Sequence, residues 1–357
     1  MTGRTRRLLA AALWLAACCC AWGQDEQEAQ VRLGGYIIGQ ASWCGQADKE
    51  VNTDMQLRLV RLYADGQWRK WQYKLQVQAN GVGRDTKENS PRIVDAWAEW
   101  QPIDEVRVKF GQMKRPFTFE NPMHPWLLGN GTYSQLSTRL AGFSDRVGEH
   151  ASNGRDMGLQ LQGDLLPLAV SGRRLLHYQV GLFTGQGINH ADRNNHKDLI
   201  GGLSVRPLKG WEAGLSGWKG DYVQDGLTVD RNRWAAGLRY ERAWSLRAEY
   251  AHSHGYKVGT DLQGHAVATG SHRADAWYVV AGVPVGGAQK LWGHYDVYRD
   301  TGEWGSTRSI YGLTLDWNLN KNLKLQANVN YLHDRTANAS GQDGDYGQAD
   351  VQLYVRF

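Results

Sequence analysis

The sequence predicts an all-β chain that folds into a transmembrane antiparallel β-barrel of about 16 strands with a long, inward-folded third loop. Three observations predict this fold class. Apolar and polar residues alternate along many short segments, the connections between the segments alternate in length, and tryptophans gather near the segment ends. All three are typical of barrels that cross a bilayer with amphipathic strands.

The composition agrees with a β-rich membrane protein. The 357 residues include 43 Gly and 16 Trp, both above ordinary usage, which favours many turns and an interface lined with aromatic rings. Mean hydropathy is negative, and after the first segment no apolar run reaches the length of about 18 residues that a membrane helix needs. A helical membrane protein is therefore excluded.

Residues 1–23 are predicted to be a secretory signal peptide. Arg4, Arg6 and Arg7 precede the apolar stretch Leu8–Ala17, and a small-residue cleavage site places the mature start near Gln24. The alternative is lipoprotein processing, which would leave a lipidated Cys18. Loss of three arginines lowers the net charge from +5 to +2, which speaks against a nucleic-acid partner.

Residues 24–357 are predicted to form the barrel. Alternation is clearest in Trp71–Ala79, Leu323–Tyr331 and Val351–Phe357, where every second side chain is apolar or aromatic. The same template gives sixteen candidate strands: 30–43, 54–64, 68–79, 92–101, 105–112, 156–164, 175–185, 197–206, 210–219, 231–241, 244–253, 272–283, 288–299, 307–318, 322–333 and 348–357.

The connections support this assignment. All eight prolines fall in the predicted connections, as expected because proline cannot donate to a sheet ladder. Short turns, such as Ala64–Gln67 and Asn318–Lys321, alternate with long polar segments, such as 220–230 and 254–271. An even strand number places both termini on the short-turn side, which is the periplasmic side of an outer-membrane barrel.

One connection, residues 113–155, is far longer than the rest and contains no convincing strand. Loops of this length are uncommon and usually functional. It is predicted to be the constriction loop of a channel.

A soluble periplasmic β-sandwich, propeller or β-helix is the alternative to a membrane barrel. The polar faces of full-length strands and the terminal Phe357, a signal for the outer-membrane insertion machinery, favour the barrel. So do tryptophans near the predicted strand ends, which are typical of the interface girdles of membrane proteins. They are Trp43, Trp68, Trp100, Trp211, Trp218, Trp244 and Trp317.

The segment Phe110–Phe117 (FGQMKRPF), together with Gly154–Leu161 and the stretch Tyr178–Gly187, resembles the phosphate-selective porin O and P family of Gram-negative outer membranes. The resemblance is sharp over about residues 95–206. It implies a sixteen-stranded, usually trimeric barrel with a water-filled pore in the outer membrane. The family name implies a preference for phosphate, but the sequence has no repeated run of inward arginines that would support it.

Charged side chains near a constriction decide the ion selectivity of a wide pore. The candidate anion-lining residues are Lys74, Arg107, Lys109, Lys114, Arg115, Arg139, Arg146 and Arg155. Bases outnumber acids within 107–120, which favours anions. Lys109, Lys114 and Arg115 are predicted to line the narrowest zone. The alternative is that these bases pair with acids such as Asp95, Glu99 and Glu149 and only hold the loop in place.

The sequence thus predicts a passive porin for small hydrophilic solutes, with phosphate or other small anions preferred. Outer-membrane lipids, small anions, the insertion machinery and two further copies in a homotrimer are its expected partners. No enzymatic chemistry, cofactor or metal is predicted; solvated loops are favoured over cation sites at Asp192–Asp198 and Asp343–Asp350. Two alternatives remain open: a plugged barrel that acts as a surface binding or adhesion protein, and a membrane-embedded hydrolase.

Overall fold

The computed structural model describes residues 29–83, 89–169 and 172–357. The predicted signal peptide and the alternative lipidation site Cys18 lie outside these ranges. Within them, sixteen antiparallel strands form one closed barrel, and two short hairpins are added to its long connections. None of the described helices is long and apolar enough to span a membrane.

The first nine strands follow one another around the barrel. They are β1 (Gln30–Cys44), β2 (Thr53–Trp68), β3 (Trp71–Val82), β4 (Arg92–Ile103), β5 (Val106–Lys114), β6 (Arg155–Pro167), β7 (Arg174–Phe183), β8 (Asp198–Val205) and β9 (Trp211–Lys219).

In the second half of the barrel, two of the long connections contain the short hairpins. Its strands are β12 (Asn232–Glu241), β13 (Ser245–His254), β16 (Arg273–Gly286), β17 (Gln289–Arg299), β18 (Thr307–Asn320), β19 (Leu323–Asp334) and β20 (Asp345–Arg356). The hairpins are β10 (Asp221–Gln224) with β11 (Leu227–Asp230), and β14 (Lys257–Thr260) with β15 (Ala266–Thr269). Two short helices are α1 (Gln135–Leu140) and α2 (Arg335–Ala339).

Pairing of the first and last strands closes the barrel. The register runs from Tyr36 opposite Arg356 to Cys44 opposite Gln348. The terminal Phe357 extends the ladder, because Gly35 and Phe357 exchange two backbone hydrogen bonds of 3.0 Å. Closure removes both sheet edges, which would otherwise leave unpaired backbone groups in a bilayer.

The predicted sixteen-stranded barrel is confirmed, with strand ends that differ by a few residues. The two hairpins are a correction: both lie in segments predicted to be irregular loops, 220–230 and 254–271. Four-residue strands alternate over too short a stretch to be separated from loop sequence.

Three prolines contradict the prediction that every proline lies in a connection. Pro102 lies in β4, Pro167 ends β6 and Pro284 lies in β16. Pro102 and Pro284 lie at register shifts, where the ladder is already interrupted and a missing N–H is tolerated. The predicted turn Ala64–Gln67 is also wrong, because β2 continues to Trp68.

The tryptophan prediction needs one correction. Trp43, Trp68, Trp100, Trp244 and Trp317 are exposed by 37 to 65%, as a belt residue should be. Trp218 is only 2% exposed and lies on the inward face with Glu212. Residues an even number of positions apart share a face of a strand, so Trp218 points into the lumen.

Candidate pore constriction

The loop between β5 and β6, residues 115–154 and hereafter the constriction loop, crosses the inside of the barrel. The backbone N–H groups of Phe119 and Glu120 donate to Glu249 on β13, at 2.6 and 2.9 Å. Further along, Lys324 on β19 donates to the carbonyl of Trp126 at 2.8 Å. Since β13 and β19 are far around the barrel from β5, these contacts carry the loop across the inside of the barrel.

Two glycines make room for this loop. Gly214 of β9 and Gly237 of β12 are direct register partners on the inward face. A Cβ atom at Gly237 would lie 2.7 Å from the ring of Phe119, and one at Gly214 would lie 2.8 Å from it. The Phe119 ring therefore packs against bare backbone, and a larger side chain on the wall would force it away.

The second limb of the loop is held by a buried group of charges, hereafter the Trp218 cluster. Three guanidinium groups surround the Trp218 indole: Arg115 at 4.8 Å, Arg231 at 4.5 Å and Arg233 at 5.0 Å from the ring centroid. Four acids complete the cluster: Asp145, Glu149, Asp156 and Asp198.

Each arginine of the cluster is ion-paired. Arg115 bonds to Glu149 at 3.0 Å and to Asp156 at 3.1 Å. Arg231 pairs with the same Glu149 and donates to Asp198 at 2.6 Å. Because Asp145 and Glu149 belong to the loop, Asp198 begins β8 and Arg233 lies in β12, the cluster fastens the loop to β8 and β12.

Ion pairs favour the charged forms of Asp145 and Arg231, whereas burial raises the pKa of Glu149 above its ordinary value. Burial disfavours the charged form of Asp145, but Arg233 outweighs it and holds the pKa of that carboxyl below its ordinary value. Burial likewise opposes the charge of Arg231, but Asp198 and Glu149 raise its pKa above the ordinary value. The arginines of this cluster therefore contribute no free positive charge to the lumen.

A second set of cations lies on β2, β3 and β5. Arg58 donates to the carbonyl of Gly131, and Arg61 donates to the amide oxygen of Gln78 at 2.9 Å. Lys74 lies 5.1 Å from the Tyr63 ring centroid, and Lys114 donates to Asn121 at 3.1 Å.

These four residues, hereafter the unpaired cations, share one property. Among residues 29–83, 89–169 and 172–357, none of the four has a carboxylate within 4.0 Å. Neutral partners orient a cation without cancelling its charge. Arginine stays protonated in proteins, so the positive charge of Arg58 and Arg61 is exerted on whatever enters the lumen.

The loop faces the unpaired cations with aromatic rings. The Lys114 ammonium lies 4.2 Å from the Phe143 ring centroid and 5.2 Å from that of Tyr133. Burial, reinforced by Arg61 and Lys74, lowers the pKa of His124 to about 3. His124 is consequently neutral at physiological pH and adds no charge to the constriction.

The structure separates the eight predicted lining residues into three groups. Lys74 and Lys114 are among the unpaired cations. Lys109 pairs with Glu99 at 2.7 Å, Arg107 with Asp164 at 2.5 Å, and Arg155 with Asp95 at 2.8 Å.

Three predicted residues contribute to anchoring or packing instead. Arg115 belongs to the Trp218 cluster and is 1% exposed. Arg146 donates to the backbone carbonyls of Gly255 and Ser271 and so fastens the loop to the connection between β13 and β16. Arg139 lies 6.0 Å from the ring centroid of Tyr298.

Sequence reasoning missed Arg58 and Arg61. They are three positions apart, so a strict period of two places them on opposite faces of β2. The register between β1 and β2 shifts at Ile38 and Gly39, which lets both side chains reach inward contacts. An irregularity of this kind leaves no mark in the sequence pattern.

The two segments considered as cation sites hold their own side chains in hydrogen bonds. Asn194 and His196 both bond to Asp221, at 2.6 and 2.9 Å. Asp343 accepts from the backbone of Ala47 at 2.6 Å. The described residues contain no group of three His, Cys, Asp or Glu that could hold a metal ion.

Residues 39–162 match the family model of the phosphate-selective porin O and P. The resemblance predicted from the Phe110–Phe117 segment is confirmed over that range. No curated protein matches the sequence.

Solved structures agree with the fold over nearly the whole chain. An anion-selective porin from Comamonas acidovorans superposes with a TM-score of 0.68 at 16% identity, covering 92% of this chain and 100% of that one. OmpF of Salmonella typhi, in complex with daunomycin, gives 0.64 at 14% identity, with 92% and 97% covered. The outer membrane channel DcaP of Acinetobacter baumannii gives 0.60 at 12%, with 94% and 100% covered.

Proposed function

We propose that this protein is a porin of the Gram-negative outer membrane that lets small hydrophilic solutes diffuse passively and prefers anions. One observation carries the sign of the preference: the four unpaired cations lie beside the constriction loop, and none has a carboxylate within 4.0 Å among the described residues. A fixed positive potential in a narrow, low-dielectric passage raises the local concentration of anions and excludes cations.

The fold and the comparisons support this proposal. The closed barrel, the belt of exposed tryptophans and the inward loop are the parts that a diffusion channel requires. The superposed structures include an anion-selective porin and an outer membrane channel. One superposed protein, OmpT of Vibrio cholerae, has a trimer form, which supports a homotrimer here. Transport by diffusion needs no catalytic group and no cofactor.

Conductance and reversal potential in a planar bilayer test the proposal. We expect discrete ion-conducting steps and, in a KCl gradient, a reversal potential with the sign of an anion-preferring pore. Arg61→Gln with Lys74→Gln should weaken that preference. Lys219→Gln is the matched control, because Lys219 is exposed on the barrel exterior and lies away from the lumen. A cation-preferring wild-type pore would contradict the proposed selectivity.

A plugged barrel that displays its loops for surface binding is the second candidate. Its support is the number of contacts that fasten the constriction loop to both sides of the wall, through Glu249, Lys324 and the Trp218 cluster. Electrical silence of correctly folded protein in the same bilayer experiment would favour it over the porin.

A further inference from the structure

A cavity of about 290 Å³, hereafter the Arg61 cavity, lies between the constriction loop and the inward faces of β2 to β7. Ligand pockets of proteins measure about 300 to 1,000 Å³, so this one suits a solute of single-ring size. Four glutamines contribute neutral amides to its lining, beside a charged set and an apolar set of side chains. The two sets together indicate which solute the cavity accepts.

Arg61 has an edge left for a ligand, although it is only 7% exposed. Its Nε and Nη2 donate to the amide oxygen of Gln78, whereas Nη1 has no hydrogen-bond partner among the described residues. No carboxylate of that part of the chain lies within 4.0 Å of the guanidinium. Arginine stays protonated in proteins, and a buried charge without a counterion is unfavourable. An anion that enters the cavity can supply this counterion at Nη1.

Three other bases of the lining already have acidic partners. The pairs are Lys109 with Glu99, Arg115 with Glu149 and Arg155 with Asp95. Asp95 itself lines the cavity, and Arg155 donates to its two oxygens at 2.8 and 2.9 Å. Because this pairing largely cancels the charge of Asp95, the carboxylate does not prevent an anion from binding at Arg61.

The two remaining lysines of the lining rest on aromatic rings. The Lys74 ammonium lies 5.1 Å from the Tyr63 ring centroid, and the Lys114 ammonium lies 4.2 Å from that of Phe143. A lysine, unlike an arginine, loses its proton readily when it is buried. Arg61 is thus the side chain of the described lining that combines a permanent charge with a free N–H edge. One such group matches a solute with a single negative charge.

Apolar surface faces the same cavity. Six uncharged side chains contribute it: Trp97, Met113, Pro116, Pro122, Met123 and Tyr133. Pro122 is exposed although the barrel surrounds it, so its ring is open to the lumen and not packed. Covering such surface is favourable for an apolar group and brings no gain to a hydrated inorganic ion.

His124 adds a neutral ring to this surface. Its Nδ1 accepts from the backbone N–H of Trp126 at 3.1 Å, so the proton of the neutral imidazole is on Nε2. The ring is exposed and lines the cavity. An aromatic solute can pack against it without meeting a second positive charge.

We propose that the Arg61 cavity is a binding subsite for organic monoanions that carry an apolar ring, of which aromatic carboxylates are the simplest class. The carboxylate accepts from Nη1 of Arg61, and the ring covers the apolar side chains. The inference rests on the proposed porin function and names the solute class that anion preference leaves open. An inorganic anion satisfies only Arg61, whereas a solute with both parts uses both sets of side chains.

Block of the chloride current through the wild-type pore tests the inference with benzoate, acetate, inorganic phosphate and benzyl alcohol. The salt is about 0.1 M KCl, in which charges are screened over about 10 Å. Benzoate should reach half block at a concentration about tenfold or more below those of acetate and phosphate, because burial of its ring adds that much affinity. Benzyl alcohol, which has the ring without the charge, should not block in the range where benzoate does.

The other outcomes each overturn the subsite and leave the porin intact. Equal block by benzoate and acetate would show that the apolar side chains contribute nothing. Tighter block by phosphate would assign the cavity to inorganic anions, and equal block by benzyl alcohol would reduce the effect to partition of a ring. Absence of any current in KCl overturns the porin as well.

Arg61→Gln distinguishes a local site from a diffuse positive potential. Loss of a charge-assisted hydrogen bond should raise the half-blocking concentration of benzoate about tenfold. Arg58→Gln is the matched control, because Arg58 lies on the same strand and donates to Gly131 but does not line the cavity. It should raise that concentration less than about twofold, since only a screened, distant charge is lost. Equal effects of the two substitutions would refute the site.

His124→Asn tests the apolar part of the subsite. Asparagine keeps an acceptor for the backbone N–H of Trp126 and removes the ring. The advantage of benzoate over acetate should fall about twofold to tenfold, while block by acetate stays near its wild-type value. An unchanged advantage would contradict the ring contact. The wild-type comparison of probes needs no substitution, so it decides the proposal even if a variant fails to fold.

Discussion

Two sets of cations inside the barrel have opposite roles although arginine occurs in both. In the Trp218 cluster, Arg115, Arg231 and Arg233 are each bound to carboxylates in a group that water does not reach. In the second set, Arg61 and Lys74 contact amides and aromatic rings, with no carboxylate within 4.0 Å in the part of the chain that the structure describes. The partner, and not the residue type, therefore decides whether a lumenal cation holds the loop or attracts a solute.

The largest effect is expected from breaking the Trp218 cluster. Arg231→Ala leaves Glu149 and Asp198 buried with less compensation, and loss of one partner from a buried ion pair costs roughly 3 to 5 kcal/mol. The barrel should unfold at lower temperature, and the released loop should produce frequent closures. Arg174→Ala removes solvent-exposed rim ion pairs to Asp104 and Glu105, which contribute little to stability, and provides the control.

A smaller loss is expected where Phe119 packs on the wall. Gly237→Val inserts side-chain atoms into the space of that ring, and overpacking of this kind costs about 1 to 3 kcal/mol. The loop should move away from β12, and single-channel conductance should change. Gly217→Ala is the control, because a Cβ atom there meets nothing within 4 Å. Equal unfolding temperatures for the two variants would argue against the proposed packing role of Gly237.

The unpaired cations are expected to act on selectivity rather than on stability. Arg61→Gln with Lys74→Gln should lower the anion-to-cation permeability ratio by about twofold to fivefold, equivalent to roughly 0.4 to 1 kcal/mol of interaction with a passing ion. The reversal potential in a salt gradient measures this ratio. Unfolding temperatures within a degree or two of wild type would separate the effect from a folding defect.

The smallest effect is expected at Lys109. Its ammonium is 2.7 Å from Glu99 and 4.2 Å from the Trp97 ring centroid, so the pair is nearly neutral to a distant ion. Lys109→Gln leaves the Glu99 charge in the lumen and should lower anion preference less than the Arg61/Lys74 change does. A larger fall in the permeability ratio would place Lys109, rather than the unpaired cations, at the narrowest point.

Acid should weaken the anchoring before it affects the selectivity. A carboxyl whose pKa is depressed in the folded protein, as that of Asp145 is, contributes stability that is present above its unfolded pKa, about 3.9. That contribution is lost as the pH falls through the folded value. The contribution of Asp145 should therefore be lost below about pH 4, with more frequent closures, and Asp145→Asn should show such closures already at pH 7.

The sequence by itself determined the barrel. Alternation with period two in sixteen segments is a local property that can be read directly from the sequence. The difference in length between short turns and long connections can be read in the same way. Hence the strands, the loop 113–155 and the excess of bases over acids within residues 107–120 were all predictable. The same reasoning placed Lys74 on a lumenal face, because side chains alternate strictly along a regular strand such as β3.

Only the tertiary structure decided which charges meet. The sequence separates Arg115 from Glu149 by 34 positions and Arg231 from Glu149 by 82, and closure of the barrel with the loop inside it brings them into contact. Arg61 is free of carboxylates for the same reason, since its neighbours come from other strands. Residue type and alternation are properties of the local sequence, whereas ion pairing depends on the register of distant strands. Residues that anchor the loop can therefore be distinguished from residues that line the pore only in the folded barrel.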